Sequence, residues 1–132
     1  MVAVDFTQYS LALIADDRVI YSSRQPGLRP LSVCIETCRP CYRNCTLYDR
    51  VIGLAAAKLI VYGNIISRVI AEVASLPARE FLENHQIEIK AAQVVENILT
   101  RDRLAVCPGE LIALTTDDRE LFLAQIKSLL GE

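Results

Sequence analysis

From Asp49 to Ala74 the chain is apolar over most of its length, with a break only at Gly63-Asn64. Such a stretch has to form the middle of a domain, and it fixes what the flanking segments can do. Its first half, DRVIGLAAAKLIVY (Asp49–Tyr62), reads as a helix that Asp49 caps and Gly63-Asn64 ends. Apolar residues surround that helix on nearly every side, so it reads as buried and central. Gly53 and Ala55-Ala56-Ala57 make it thin, which lets another backbone come close. Ile65–Ala74 contains a buried strand, best placed at Val69–Ala74. Its near-continuous apolar character predicts a parallel strand inside a sheet.

The remaining segments supply partners. Tyr9–Ala15 and Arg18–Ser23 read as strands joined by a turn at Asp16-Asp17, which makes a hairpin. Gln25-Pro26-Gly27 breaks the pattern, and Leu28 to Glu36 reads as a helix with Pro30 in its first turn. Ser75 caps a helix through Asn84, again with proline (Pro77) in the first turn. Gln86–Lys90 reads as a strand, Ala92–Leu99 as a short helix and Cys107–Glu110 as a turn or helix start. Asp117-Asp118-Arg119-Glu120 has a capping-box pattern before a last helix that runs to Leu130, with Gly131 behind it. In that helix Leu121, Phe122, Gln125, Ile126, Leu129 and Leu130 lie at helical spacing and are expected to face the core. Strands alternating with helices over 132 residues predict one α/β domain, residues 1–132, with a mixed sheet flanked by helices. Ligands of such sheets sit beyond the carboxyl ends of strands, which directs attention to Asp49 and Ser75.

Composition removes several classes of function. A net charge of -2 with both signs interspersed leaves no basic stripe for a phosphate backbone, so nucleic acid is not expected as a partner. No apolar run reaches the length of a membrane span. The start, MVAVDFTQYS, has no basic segment followed by an apolar one, so it does not read as a signal peptide. A cytoplasmic protein with reduced thiols is the expectation, and the odd count of 5 cysteines fits it.

Four of those cysteines fall in CIETCRPCYRNC, as Cys34, Cys38, Cys41 and Cys45. On an unbroken helix they would share one face. That face would span about 16 Å, too long for four sulfurs around one metal. Pro40 disfavours a straight helix through the cluster, and a bent segment could bring the thiolates together. Packing thiols are therefore weighed against a zinc or iron–sulfur site on Cys34, Cys38, Cys41 and Cys45, with no cofactor the default. Arg39 and Arg43 beside them could make one thiol reactive.

Four stretches carry a resemblance: VIYSSRQPGLRPL (Val19–Leu31), YDRVIGLAAA (Tyr48–Ala57), AEVASLPA (Ala71–Ala78) and LTRDRLAVCPGE (Leu99–Glu110). In that order they resemble the uncharacterised prokaryotic family known as domain of unknown function 1893. The most specific elements are Asp49 with a basic residue after it, Gly53 with its alanines, and Cys107-Pro108-x-Glu110. Arg50, Thr100 and Gly109 depart from the family pattern, and the Cys34–Cys45 cluster is not part of it. The resemblance implies a three-layer, cytidine-deaminase-like fold, without implying deamination. Zinc deaminases carry H-x-E at one helix start and P-C-x-x-C at the next. The matching helix starts are taken as Asp49 and Ser75-Leu76-Pro77-Ala78, where no His or Cys stands.

The candidate pocket residues are Asp49, Arg50, Glu72, Ser75, Arg101, Cys107 and Glu110. Asp49 and Ser75 have ordinary roles as helix caps beside a role as ligand acceptors. Glu72 stands in an apolar strand and needs a partner, either Arg50 or Arg101, or else faces the pocket with a raised pKa. Cys107 and Glu110 share one compact turn. His85, the single histidine, is expected to be solvated at a helix end. The chain thus reads as a domain that binds or acts on a small nucleotide-like ligand. A structural or regulatory homodimer and a metal or redox module on the cysteines are the alternatives, and whether it is an enzyme stays open.

Overall fold

The structure is a computed structural model and describes residues 4–98 and 107–132. The hairpin comes first: β1 (Leu11–Ala15) and β2 (Arg18–Ser23) pair antiparallel. Asp16 and Asp17 both take left-handed backbone, φ 52° and 59°, which matches the twist of a two-residue hairpin loop. Helix α1 (Arg29–Cys38) follows, with proline in its first turn. Then come β3 (Cys45–Ile52), α2 (Leu54–Gly63), β4 (Ile66–Ser75), α3 (Leu76–Asn84), β5 (Glu88–Val95), α4 (Pro108–Thr115) and α5 (Arg119–Leu130).

The sheet order is β2-β1-β3-β4-β5, with β1 antiparallel to its neighbours and β3, β4 and β5 parallel. This is a mixed five-stranded sheet flanked by helices, the expected three-layer α/β class. Left-handed residues Asn44, Asn64 and Gln86 lead the chain into the three parallel strands, at φ 54°, 57° and 58°. Helix α1 packs on β1 and β2, α2 on β3 and β4, and α3 on β4 and β5, while α4 packs on α2 and α5 on α4. The core runs from Leu11, Leu13 and Leu47 in the sheet through Leu31 and Ile60 to Phe122 and Ile126 of α5, all fully buried. No helix among the described residues is long and apolar enough to cross a membrane.

Three expectations need correction. Asp49 does not cap a helix: it lies inside β3, and α2 begins five residues later, after Gly53. The apolar run is continuous because β3 ends on Val51 and Ile52 and leads through Gly53 directly into a buried helix, and hydropathy alone does not mark that junction. The short helix at Ala92–Leu99 is replaced by strand, since β5 extends to Val95 by pairing with β4 through Ser75↔Val95. On α5 only Phe122 and Ile126 of the proposed core face are buried, while Leu121 and Leu129 are about half exposed. The final helix is otherwise as read, capped by Asp118, which accepts from Leu121 N at 2.8 Å, and closed by Gly131 at φ 75°.

Candidate functional site

A cavity of about 480 Å³ opens at the edge of the sheet where β3 and β4 end and β1 begins. Such a volume lies in the range of small-molecule sites. Its walls are the loop after β2 (Arg24–Leu28), the first turn of α1 at Pro30, the start of α2 at Gly53, Ala55 and Ala56, and Cys107 and Glu110 from the start of α4. The helix starts that meet there are therefore those of α1, α2 and α4, and none is the Ser75 start. Ser75 is fully buried and serves as N-cap of α3, accepting from Ala78 N at 3.2 Å, and it does not line the cavity. Arg101 lies outside the described residues.

Local hydrogen bonds hold the loop after β2 in place. Ser10 Oγ donates to Gln25 O at 2.6 Å, and Gln25 N donates to Ser23 Oγ at 3.1 Å. Arg50 N donates to Ser10 O at 3.1 Å, tying the start of β1 to the end of β3.

Asp49 stands between Leu11 of β1 and Ala71 of β4 in the register of the sheet. It shares a sheet face with Leu47 and Val69, both fully buried. The residue keeps some accessible surface and lines the cavity. Burial pushes its carboxyl up to about 8, with the amides of Val51 and Arg50 pulling it part of the way back. Arg50, the next residue, points to the opposite face and pairs with Glu72 at 3.7 Å. Both side chains of that pair are about half exposed, so the contact is worth less than about 1 kcal/mol. Glu72 thus has the partner its strand position demanded, and both members also reach the cavity wall.

Glu110 has a role that its sequence motif does not announce. Its carboxylate is buried and accepts from Leu54 N at 2.7 Å and Ala55 N at 2.8 Å. It is the cap that α2 lacks in its own sequence, since Gly53 at the N-cap position has no side chain. A Cβ on Gly53 would lie 2.4 Å from Glu110 Oε1. The thinness of this helix start therefore admits a carboxylate, where the sequence suggested a backbone. Lys58, buried on the same helix, returns the arrangement: its Nζ donates to Ala113 O and Thr116 O, both at 2.7 Å, at the carboxyl end of α4. Helices α2 and α4 thus cap each other, one with an anion at an N-terminus and one with a cation at a C-terminus. Neither residue type, read alone, signals this pairing; Lys58 alone among polar residues inside an apolar helix was the available clue.

Gly53→Ala is expected to destabilise the fold by about 2 kcal/mol by displacing Glu110 from the two amides. Gly53 has extended backbone, φ -97° and ψ -178°, so alanine meets no backbone penalty there. On a Glu110→Ala background the same substitution should cost close to nothing. Urea unfolding of the four proteins measures the coupling, and additive losses would refute it.

The cysteines divide. Cys34 and Cys38 lie on α1, which ends before Pro40, and Cys45 opens β3; these three are buried, and Cys41 is exposed. Burial raises the Cys34 thiol strongly, and Cys38 and Cys45 are raised by the same cause. Among the described residues no three His, Cys, Asp or Glu side chains are grouped so as to hold a metal ion. His85 is exposed at the end of α3, with Nδ1 2.8 Å from Phe81 O.

The family model described as Domain of unknown function (DUF1893) matches residues 3–130. The chain belongs to the DUF1893 family. A similar fold is found in the crystal structure of a DUF1893 family protein (TM1506) from Thermotoga maritima. The TM-score is 0.78 at 22% identity, over 92% of this chain and 82% of that one. No curated protein matches the chain. Within this DUF1893 chain, five of the seven candidate residues (Asp49, Arg50, Glu72, Cys107 and Glu110) line one cavity. Arg24 joins them from the loop after β2 and carried no sequence signal beyond its charge.

Proposed function

We propose that this DUF1893 domain binds or acts on a small nucleotide-like ligand in the cavity between the starts of α1 and α2. The observation that carries the reading is Asp49, a carboxyl held at the end of a central strand and facing a cavity with largely apolar walls. Perturbed carboxyls in clefts are typical of functional sites. A cytidine-deaminase-like arrangement fits the mixed sheet with parallel β3 to β5 and a cavity at its carboxyl edge. Among the described residues lining the cavity there is no His, and Cys107 at the start of α4 is the one Cys, too few for the ligand set of a deaminase, so the reading involves no deaminase-type zinc. Apolar walls suit a base, and Arg24 and Arg50 among the lining residues suit an anionic substituent. We also place the protein in the reducing cytoplasm, in keeping with five free cysteines.

Calorimetry against nucleosides and nucleotides tests the reading. At roughly -0.3 kcal/mol per heavy atom, a nucleoside should bind near -5 to -6 kcal/mol, on the order of 100 µM. Val51→Trp, at a cavity-wall position 47% exposed, should abolish the signal without unfolding the domain. Absence of binding across the panel at millimolar concentration would sink the proposal.

A further inference from the structure

We infer that the cavity reads the edge of a flat heterocycle on which a hydrogen-bond donor and acceptor stand side by side, with the Asp49 carboxyl supplying the complementary pair. The inference rests on the pocket reading above and adds the ligand's chemical class.

Among the described residues nothing offers Asp49 a compensating cation. Arg50 reaches the cavity wall from the sheet face opposite Asp49 and is engaged with Glu72 at 3.7 Å. Lys58 is committed to the carbonyls of Ala113 and Thr116. The start of α1 presents Leu28 and Pro30 to the cavity, and the start of α2 presents Gly53, Ala55 and Ala56, none of them charged. Helix α4 brings Cys107 and the carboxylate of Glu110, itself committed to two amides. Arg24 lies on the exposed loop after β2. In these surroundings a second charge is costly, and burial holds the Asp49 carboxyl up to about 8. At neutral pH the group is therefore mostly the acid, with one O–H donor and one carbonyl acceptor. That pair matches a lactam edge, N–H beside C=O, or an amidine edge, ring N beside NH₂. An ionised Asp49 would be acceptor-only and would select an edge with two donors, as guanine presents.

The test is calorimetry of wild type, Asp49→Asn and Asp49→Leu with uridine, adenosine and guanosine. The edge-blocked probes 3-methyluridine and N6,N6-dimethyladenosine accompany them, from pH 6 to 9. Uridine or adenosine should bind the wild type, and its edge-blocked form should bind at least tenfold more weakly. The asparagine variant, whose amide keeps a donor and an acceptor, should stay within about threefold of wild type at pH 6.5, and the leucine variant should lose binding. Above about pH 8 wild-type affinity should fall up to tenfold per unit. The asparagine variant reports any titration of the ligand itself. Equal losses in the asparagine and leucine variants, or preferred guanosine binding that strengthens as pH rises, would overturn the inference while leaving the pocket reading standing. No nucleoside binding to wild type would overturn both.

Discussion

Glu110→Ala should cost this domain about 3 kcal/mol, a drop of roughly 10 °C in melting temperature for a chain of this size. The substitution leaves the amides of Leu54 and Ala55 buried without their acceptor and removes the anion that answers the α2 dipole. It also removes a negative charge that favours the protonated Lys58, whose amine burial already lowers. Glu110→Gln keeps one acceptor oxygen but sets an NH₂ group against a backbone N–H, so most of the loss should remain. Urea unfolding followed by circular dichroism gives the value. A loss below 1 kcal/mol would mean that water replaces the carboxylate and that the mutual capping of α2 and α4 is dispensable.

Asp49→Asn should act in the opposite direction, and its effect should depend on pH. An Asp in the unfolded chain titrates near 3.8, while the folded-state group is held near 8. Between those values the folded protein holds a proton that the unfolded chain has released, so stability falls as pH rises. The penalty is absent below the unfolded value, grows through neutral pH and is complete above about 8. Asparagine cannot ionise and escapes it. At pH 8 the variant should be more stable than wild type by about 3 kcal/mol, allowing for relaxation around the charged form, and at pH 4 the two should coincide. Unfolding curves at both pH values decide it. A variant no more stable at pH 8 would show that Asp49 is ionised at little cost, with water or a cation reaching it from the cavity.

These effects track which features the sequence could reveal. The hairpin was legible because Asp16-Asp17 between two short apolar runs leaves few options, and the caps at Ser75 and Gly131 were legible because capping is local chemistry. The junction inside Asp49–Tyr62 was not legible: only four residues of it belong to the strand, too few to show a period of two, and the helix that follows is apolar on nearly every face. That one error displaced Asp49 from a strand to a cap, and with it the cavity from the α1 and α2 starts toward Ser75. The cavity residues themselves were found because charged groups inside apolar segments demand an account, as with Asp49 and Glu72. Glu110 was found for its motif but without its amide partners, since these lie 55 and 56 residues away. Arg24 was missed because a loop arginine is usually just solvated.

The cavity's last wall comes from a separate stretch of chain. Cys107 and Glu110 close it from α4, and the guanidinium of Arg29 holds the carbonyl of Leu130 at the far end of α5. Release of the C-terminal helices would therefore open the cavity and uncap α2 in one event. The amides of Leu54 and Ala55 should then exchange with solvent at the rate of that event, together with those of α4, as one cooperative unit. A molecule seated in the cavity touches both sides of the seam. It should slow exchange in α4 and α5 even though it contacts only the first turn of α4.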